Sequence, residues 1–152
     1  MDLGVSAMTV KFGHINIVVQ DLDAAREFFV TNFGFTAGAA VTLEGPWADA
    51  LNALHHVRAV HVPLSLQGST VQIELLKFLH PIAAPGENLG TPNKFGYRHI
   101  DFDVDNIDEL TSRLQSQGWE FLSAVQTVSS MNLKTVYFLG PEGVLIQMTE
   151  TL

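Results

Sequence analysis

The chain has 152 residues, which is enough for one domain with its own core and too few for two. Its 16 acidic and 8 basic side chains give a formal net charge of -8, and a surface of that sign repels nucleic-acid phosphates and anionic lipids. The absence of cysteine excludes disulfides, thiolate ligands and cysteine nucleophiles, so any metal must be bound by histidines and carboxylates. We therefore expect neither nucleic acid nor a membrane as a partner.

The first ten residues, MDLGVSAMTV, lack the basic end and the apolar run of a secretory signal. No segment approaches the length of a membrane span. A cytoplasmic location is the expectation that follows.

The first half of the chain predicts a strand, a helix and three further strands. The strand lies at about 10–19, and the helix at 22–33 begins after Asp21 or Asp23 and ends at Gly34. Further strands are predicted at about 35–43, 58–66 and 70–78. Between the first two of these, Pro46 introduces a short extra helix. We expect Trp47, with Leu51 and Leu54 at helical spacing, to pack this helix rather than to stack on a substrate.

The second half repeats the first. When His14 is superposed on His99, FGHINIVVQDLDAAREFFVTNFGF resembles YRHIDFDVDNIDELTSRLQSQGW. The second half predicts a helix at 107–117 and strands at about 96–104, 120–125, 133–138 and 144–149. The predicted fold class is α+β: one domain over 1–152, built from two βαβββ repeats at about 9–79 and 95–150 with a linker at about 80–94 rich in proline and glycine.

Strand alternation predicts which polar side chains share a face. His14 and His99 point away from their apolar neighbours, and so do Glu74 in VQIELL and Gln147 in VLIQMT. The same alternation turns Leu145 away from the core. We expect the four polar side chains to converge on a divalent ion, such as Zn, Ni, Co, Mn or Fe(II), with positions left open for water or substrate. A site of the same shape without metal is the alternative.

The motifs HINIVVQDLDAAREFF, VQIELL, YRHIDFDVDNID and FLGPEGVLIQM resemble, in this order, those of the vicinal oxygen chelate superfamily. That superfamily includes glyoxalase I, methylmalonyl-CoA epimerase, extradiol dioxygenases and bleomycin or fosfomycin resistance proteins, and the chain looks most similar to the first two. The resemblance covers nearly the whole chain. It implies a glyoxalase-like module with a concave mixed sheet, metal ligands at His14, Glu74, His99 and Gln147, and a homodimer.

One ligand position departs from the family pattern, because most metal-bearing members have Glu where this chain has Gln147. A Gln there weakens the ligand triad of an extradiol dioxygenase, and it leaves Glu74 as the carboxylate that can act as a base. The resemblance makes His61 a second candidate base, although a hydrogen-bonded strand histidine is the simpler interpretation. Tyr137 and Phe138 face opposite ways, so one of them is expected to line the pocket.

The expected function is a divalent-metal-dependent lyase or isomerase that moves a proton next to a metal-bound carbonyl. Two alternatives stay open: an Fe(II)-dependent dioxygenase, and a non-enzymatic protein that sequesters a small molecule.

Overall fold

A computed structural model describes residues 9–152 of the chain. The first eight residues, which belong to the stretch predicted not to be a secretory signal, lie outside the described part. No helix within the described part is long and apolar enough to cross a membrane.

The elements follow each other in the predicted order, and each repeat carries one more short strand than predicted. The first repeat contains β1 (His14–Val18), α1 (Leu22–Phe33), β2 (Thr36–Ala37), β3 (Val41–Glu44), α2 (Pro46–Asn52), β4 (Arg58–Ser65) and β5 (Gln72–His80). The second repeat contains β6 (His99–Asp103), α3 (Ile107–Ser116), β7 (Glu120–Phe121), β8 (Gln126–Val128), β9 (Leu133–Leu139) and β10 (Leu145–Thr151).

Each repeat forms its own five-stranded mixed sheet. The first has the order β1-β5-β4-β2, with β3 also paired to β4, and the second has the order β6-β10-β9-β7, with β8 also paired to β9. In both sheets the first strand of the repeat lies at the edge and pairs in parallel with the last strand, whereas the other pairings are antiparallel. The predicted fold class, two α+β repeats in one domain, is confirmed.

Helix α1 begins and ends where its sequence predicts. The carboxylate of Asp21 accepts a hydrogen bond from the backbone N–H of Ala24 at 2.9 Å, which satisfies a donor of the first turn. Gly34 ends the helix in the left-handed conformation, with φ 73°, and its N–H returns to the last turn. The short link to β2 then places Phe35 in the core, where its ring meets that of Phe29.

One hydrophobic core joins the two repeats. The ring of Phe33 in α1 lies 4.4 Å from that of Phe102 in β6, and the ring of Phe28 lies 4.6 Å from that of Trp119 after α3. Phe138, which is fully buried in β9, also contacts both α1 rings. Because the same residues cover the inner faces of both sheets, each sheet turns its other face outward, and we call these surfaces the outer faces.

A reciprocal amide pair also links the repeats. Asn32, buried at the end of α1, donates to Gln117 Oε1 at 3.1 Å and accepts from Gln117 Nε2 at 3.0 Å. Arg113 in α3 donates to the carbonyl of Asn32. These bonds complement the aromatic contacts and fix the end of α1 against the end of α3.

The expectation that Trp47 and Leu51 pack α2 is wrong. Both side chains are exposed, and Ala48 is the buried residue of this helix. The helix is held instead by Asp49, whose carboxylate accepts hydrogen bonds from the backbone N–H groups of His56 and Val57. These bonds, that of Val57 first, lower the pKa of Asp49.

The prediction that Leu145 points away from the core into solvent is also wrong. Leu145 is fully buried although it lies on the outer face of the second sheet. Leu145 pairs with Leu139 across β9 and β10. Gly90 of the linker lies against Leu139, so closely that a Cβ at position 90 would be 2.6 Å from Leu139 Cδ2. The linker therefore covers one end of the outer face, which a pattern of single strands cannot predict.

Candidate functional site

The outer face of the first sheet carries His14 and Glu74. Glu74 pairs with Asn16 in the register of β1 and β5, so His14 is its diagonal neighbour, within reach of a long side chain. His14 Nε2 lies 3.1 Å from Glu74 Oε2, with side-chain exposures of 48% and 25%. The pair is therefore open to solvent on one side and supported by the sheet on the other.

His61 completes this group from β4. In the register of β4 and β5 it pairs with Leu76, so it reaches Glu74 diagonally, and its Nε2 lies 3.7 Å from Glu74 Oε1. Its Nδ1 is buried and has no hydrogen-bond partner among the described residues. The carboxylate of Glu74 thus lies between two imidazoles, one on each neighbouring strand.

The outer face of the second sheet carries His99 and Gln147 in the same relation. Gln147 pairs with Asp101, so His99 is its diagonal neighbour, as His14 is of Glu74. The ring of Tyr137 lies 5.2 Å from that of His99, in an edge-on arrangement, and Phe138 points into the core. Of the two aromatic residues considered from sequence, Tyr137 is the one beside the candidate site.

Short hydrogen bonds fix the side chains around Gln147. Gln147 Nε2 donates to Thr135 Oγ1 at 2.8 Å, and Thr135 Oγ1 donates to the carbonyl of Met148 at 2.9 Å. Thr149 Oγ1 donates to Asp101 Oδ1 at 2.8 Å. Sequence reasoning missed both threonines. Alternation along β9 places Thr135 on the same face as Tyr137, but the register against β10 is what brings it to Gln147.

One chain does not bring the two pairs together. Within residues 9–152, no three His, Cys, Asp or Glu side chains are arranged to hold a single metal ion. Two surface depressions, of about 530 and 330 Å³, are lined by residues other than the four predicted ligands. The predicted ligands therefore lie as one pair on the outer face of each sheet.

The donor set nevertheless fits a divalent ion. Two ligand atoms at about 2.0–2.2 Å from one ion, at angles of about 90–110°, are about 2.8–3.6 Å apart. The 3.1 Å between His14 Nε2 and Glu74 Oε2 is in this range. Imidazole nitrogen, carboxylate oxygen and amide oxygen are ligands that first-row divalent metals accept.

Comparison with known proteins agrees with the duplicated module. A family model described as the Glyoxalase/Bleomycin resistance protein/Dioxygenase superfamily matches residues 11–148. The chain belongs to this superfamily.

Individual members of the superfamily cover almost the whole chain. The crystal structure of a glyoxalase family protein from Bacillus cereus superposes with a TM-score of 0.87, at 29% identity over 97% of this chain and 98% of that one. The mitochondrial methylmalonyl-CoA epimerase of Bos taurus is 27% identical over 146 residues, 92% of this chain and 74% of the relative. A mutant fosfomycin resistance protein from Listeria monocytogenes, complexed with Mn(II), shares the fold at 15% identity, a TM-score of 0.59 and 95% coverage of both chains.

Superfamily membership establishes the fold of the chain but does not identify its reaction. The relatives named above include an epimerase and a drug-resistance protein, so one scaffold carries different activities. The activity of this chain has to be argued from its own side chains.

Proposed function

We propose that the protein is a divalent-metal-dependent lyase or isomerase that moves a proton on the carbon next to a carbonyl group. The observation that carries the proposal is the position of Glu74, whose carboxylate lies 3.1 Å from His14 Nε2 and 3.7 Å from His61 Nε2 on an open sheet face. A carboxylate held between two imidazoles can accept a proton and has a neighbour that can take part in its transfer.

The four predicted ligands have different parts in this proposal. His14, Glu74, His99 and Gln147 would hold the ion, which when bound supplies polarisation of the carbonyl oxygen. Glu74 is the proton acceptor, since Gln147 at the matching position of the second repeat is neutral. His61 is the second candidate base, and its contact with Glu74 also orients that carboxylate.

We infer that a second copy of the chain completes the site. Within residues 9–152, strands β1 and β6 each lie at a sheet edge with one side unpaired, and exposed edges favour pairing with another chain. Exposed aromatic rings precede both edges, with Phe12 before β1 and Phe95 and Tyr97 before β6. If β1 of one copy meets β6 of the other, two-fold symmetry forms two complete sites per homodimer.

The substrate class follows from charge. Phosphate and CoA groups are bound by free Lys and Arg side chains, but most of the 8 basic side chains have partners already. These are Arg26 with Asp23, Arg58 with Glu44, Lys134 with Asp108, and Arg98 and Arg113 with backbone carbonyls. We therefore propose a small carbonyl compound without a phosphate group.

Solvent deuterium exchange tests the reaction. The purified protein is incubated in D₂O with carbonyl compounds that have an acidic neighbouring C–H, after removal of metal and again after addition of Co(II), Mn(II), Ni(II) or Zn(II). Methylmalonyl-CoA is included because one relative is an epimerase of that name. We expect metal-dependent deuterium incorporation that Glu74→Gln abolishes. Incorporation that is independent of metal would contradict the proposal, and metal-dependent incorporation that is unchanged in Glu74→Gln would transfer the role of base to His61.

Assembly has its own test. Phe12→Asp and Tyr97→Asp place charges beside the two free edges, and we expect both to convert a dimer to a monomer in sedimentation velocity and to lower metal stoichiometry together. Leu51→Asp is the matched control, because Leu51 is equally exposed and lies on α2, outside both edges. A parent protein that is monomeric at micromolar concentration and still binds one metal per chain would refute the shared site.

A second candidate function is ligand binding without chemistry, and the neutral side chain of Gln147 favours it. Removing one carboxylate from the ligand set weakens the hold on a divalent cation. A parent protein that binds hydrophobic carbonyl compounds with the same affinity in EDTA, and catalyses no exchange, would support this alternative.

A further inference from the structure

We propose that Thr135 is a positioning residue that fixes the amide of Gln147 with its carbonyl oxygen free to bind metal, and thereby selects Gln over Glu at that position. The inference rests on the proposed metal site and deepens it. It concerns the ligand at which this chain departs from the common pattern of the superfamily.

The two side chains meet across neighbouring strands. Thr135 pairs with Thr149 in the register of β9 and β10, so it is the diagonal neighbour of Gln147 on the outer face. Gln147 Nε2 lies 2.8 Å from Thr135 Oγ1, and Gln147 is half-buried. The bond therefore holds a side chain that the sheet already restricts.

The direction of this bond follows from the single hydrogen of a hydroxyl group. Thr135 donates that hydrogen to the carbonyl of Met148 at 2.9 Å, so its oxygen can only accept from Gln147. If the amide were reversed, two acceptor oxygens would be 2.8 Å apart without a proton between them. The amide nitrogen of Gln147 must therefore face Thr135.

The hydroxyl group of Thr149 does not change this assignment. Its hydroxyl lies 3.4 Å from that of Thr135, but its own hydrogen is donated to the carboxylate of Asp101 at 2.8 Å. A hydrogen bond to a carboxylate is stronger than one to a neutral hydroxyl. One orientation of the amide is therefore consistent with all the hydrogen bonds in this group, which links Asp101, Thr149, Thr135 and Gln147.

The remaining amide atom is the one that suits a metal. Among the described residues, none donates a hydrogen bond to Gln147 Oε1, whereas Nε2 is occupied by Thr135. An amide oxygen has lone pairs for a divalent ion, and an amide nitrogen, as a donor group, does not. A Glu at position 147 would instead compete with the carbonyl of Met148 for the single hydrogen of Thr135, so one of these two contacts would lose its hydrogen bond.

Co(II) titration of four proteins, followed by the visible absorption of the bound ion, tests the role of Thr135. The proteins are the parent, Thr135→Val, Gln147→Glu and the double variant. We expect Thr135→Val to weaken Co(II) binding about 10–100-fold, the loss typical of residues that orient a metal ligand. The same change in the Gln147→Glu background should cause no loss, because both carboxylate oxygens are equivalent and need no fixed orientation.

Two controls separate positioning from folding. Thr135→Ser keeps the hydroxyl and should bind Co(II) as the parent does. Thr111→Val removes the hydroxyl of a threonine in α3 that is buried away from both outer faces, and should leave Co(II) affinity unchanged. In the metal-free protein, Thr135→Val should also shift the side-chain amide signal of Gln147 in a ¹H–¹⁵N spectrum, assigned with Gln147→Ala.

Two results would overturn the role of Thr135 alone: parent-like Co(II) affinity in Thr135→Val, or an equal loss in the Gln147→Glu background. A parent protein that binds no Co(II) would overturn the proposed metal site, and the role of Thr135 with it. The measurements therefore distinguish failure of this inference from failure of the proposed function.

Discussion

The amide pair between Asn32 and Gln117 should contribute more to the free energy of unfolding than the exposed position of Gln117 suggests. Asn32 is buried, with 7% of its surface exposed, and both of its side-chain bonds go to Gln117. Each hydrogen bond contributes about 0.5–1.5 kcal/mol net, so Asn32→Ala should cost about 1–3 kcal/mol. Gln117→Ala leaves the buried amide of Asn32 without partners, at about 1–3 kcal/mol for each unsatisfied group, and should cost at least as much.

Urea unfolding of the parent, both single variants and the double variant measures this effect. All four proteins are compared at one protein concentration, because association would couple stability to concentration. The double variant should cost clearly less than the sum of the single changes, with a coupling energy of about 1 kcal/mol or more. Additive costs, or a Gln117→Ala protein as stable as the parent, would show that the amide pair does not help to join the two repeats.

Three further changes probe the site, the core and the loop after α2. Glu74→Gln should lower turnover by about 10²–10⁴-fold, beyond its loss of metal, as expected for removal of a general base; turnover at the parent rate with full metal would transfer the role to His61. Thr111→Val should raise the urea midpoint, since the buried hydroxyl of Thr111 has no partner among the described residues. Because folding lowers the pKa of Asp49, its ionised carboxylate stabilises the folded state fully at pH values above its ordinary pKa of 3.8. This stabilisation is lost as the pH falls through the lower pKa of the folded state. The melting-temperature difference between parent and Asp49→Asn should therefore be constant from pH 5 to 7 and shrink below pH 3.8.

The fold was predictable because two independent signals agree in each repeat. Alternation places Ile17 and Phe102 in the core, and both are buried. The N-cap at Asp21 and the left-handed Gly34 limit α1 at the predicted residues. A duplicated pattern doubles the information on each element, which is why the order of strands and helices could be predicted from one sequence.

The predictions that were wrong concern residues whose burial depends on contacts between segments that are distant in the sequence. Leu145 is buried where Gly90 of the linker packs against its strand partner Leu139, and Trp47 is exposed on a helix whose Asp49 bonds to the loop that follows. The pairing of His14 with Glu74 follows from strand alternation and the register of β1 with β5. The position of that pair relative to His99 depends on how whole sheets are oriented, and no local pattern contains this information.

The two pairs of predicted ligands have the same geometry and different chemistry. On the first sheet, the diagonal pair is a histidine and a carboxylate, and a second imidazole supports the carboxylate. On the second sheet, the pair is a histidine and an amide, and Thr135 holds the amide. Asp101, the carboxylate beside His99, accepts the hydrogen of Thr149 and is thereby committed to positioning. In the proposed reaction, proton transfer would therefore be carried out by the first sheet, and the second sheet would contribute neutral ligands and their orientation. The proposed site would in this way present a single base, Glu74, to one side of the substrate.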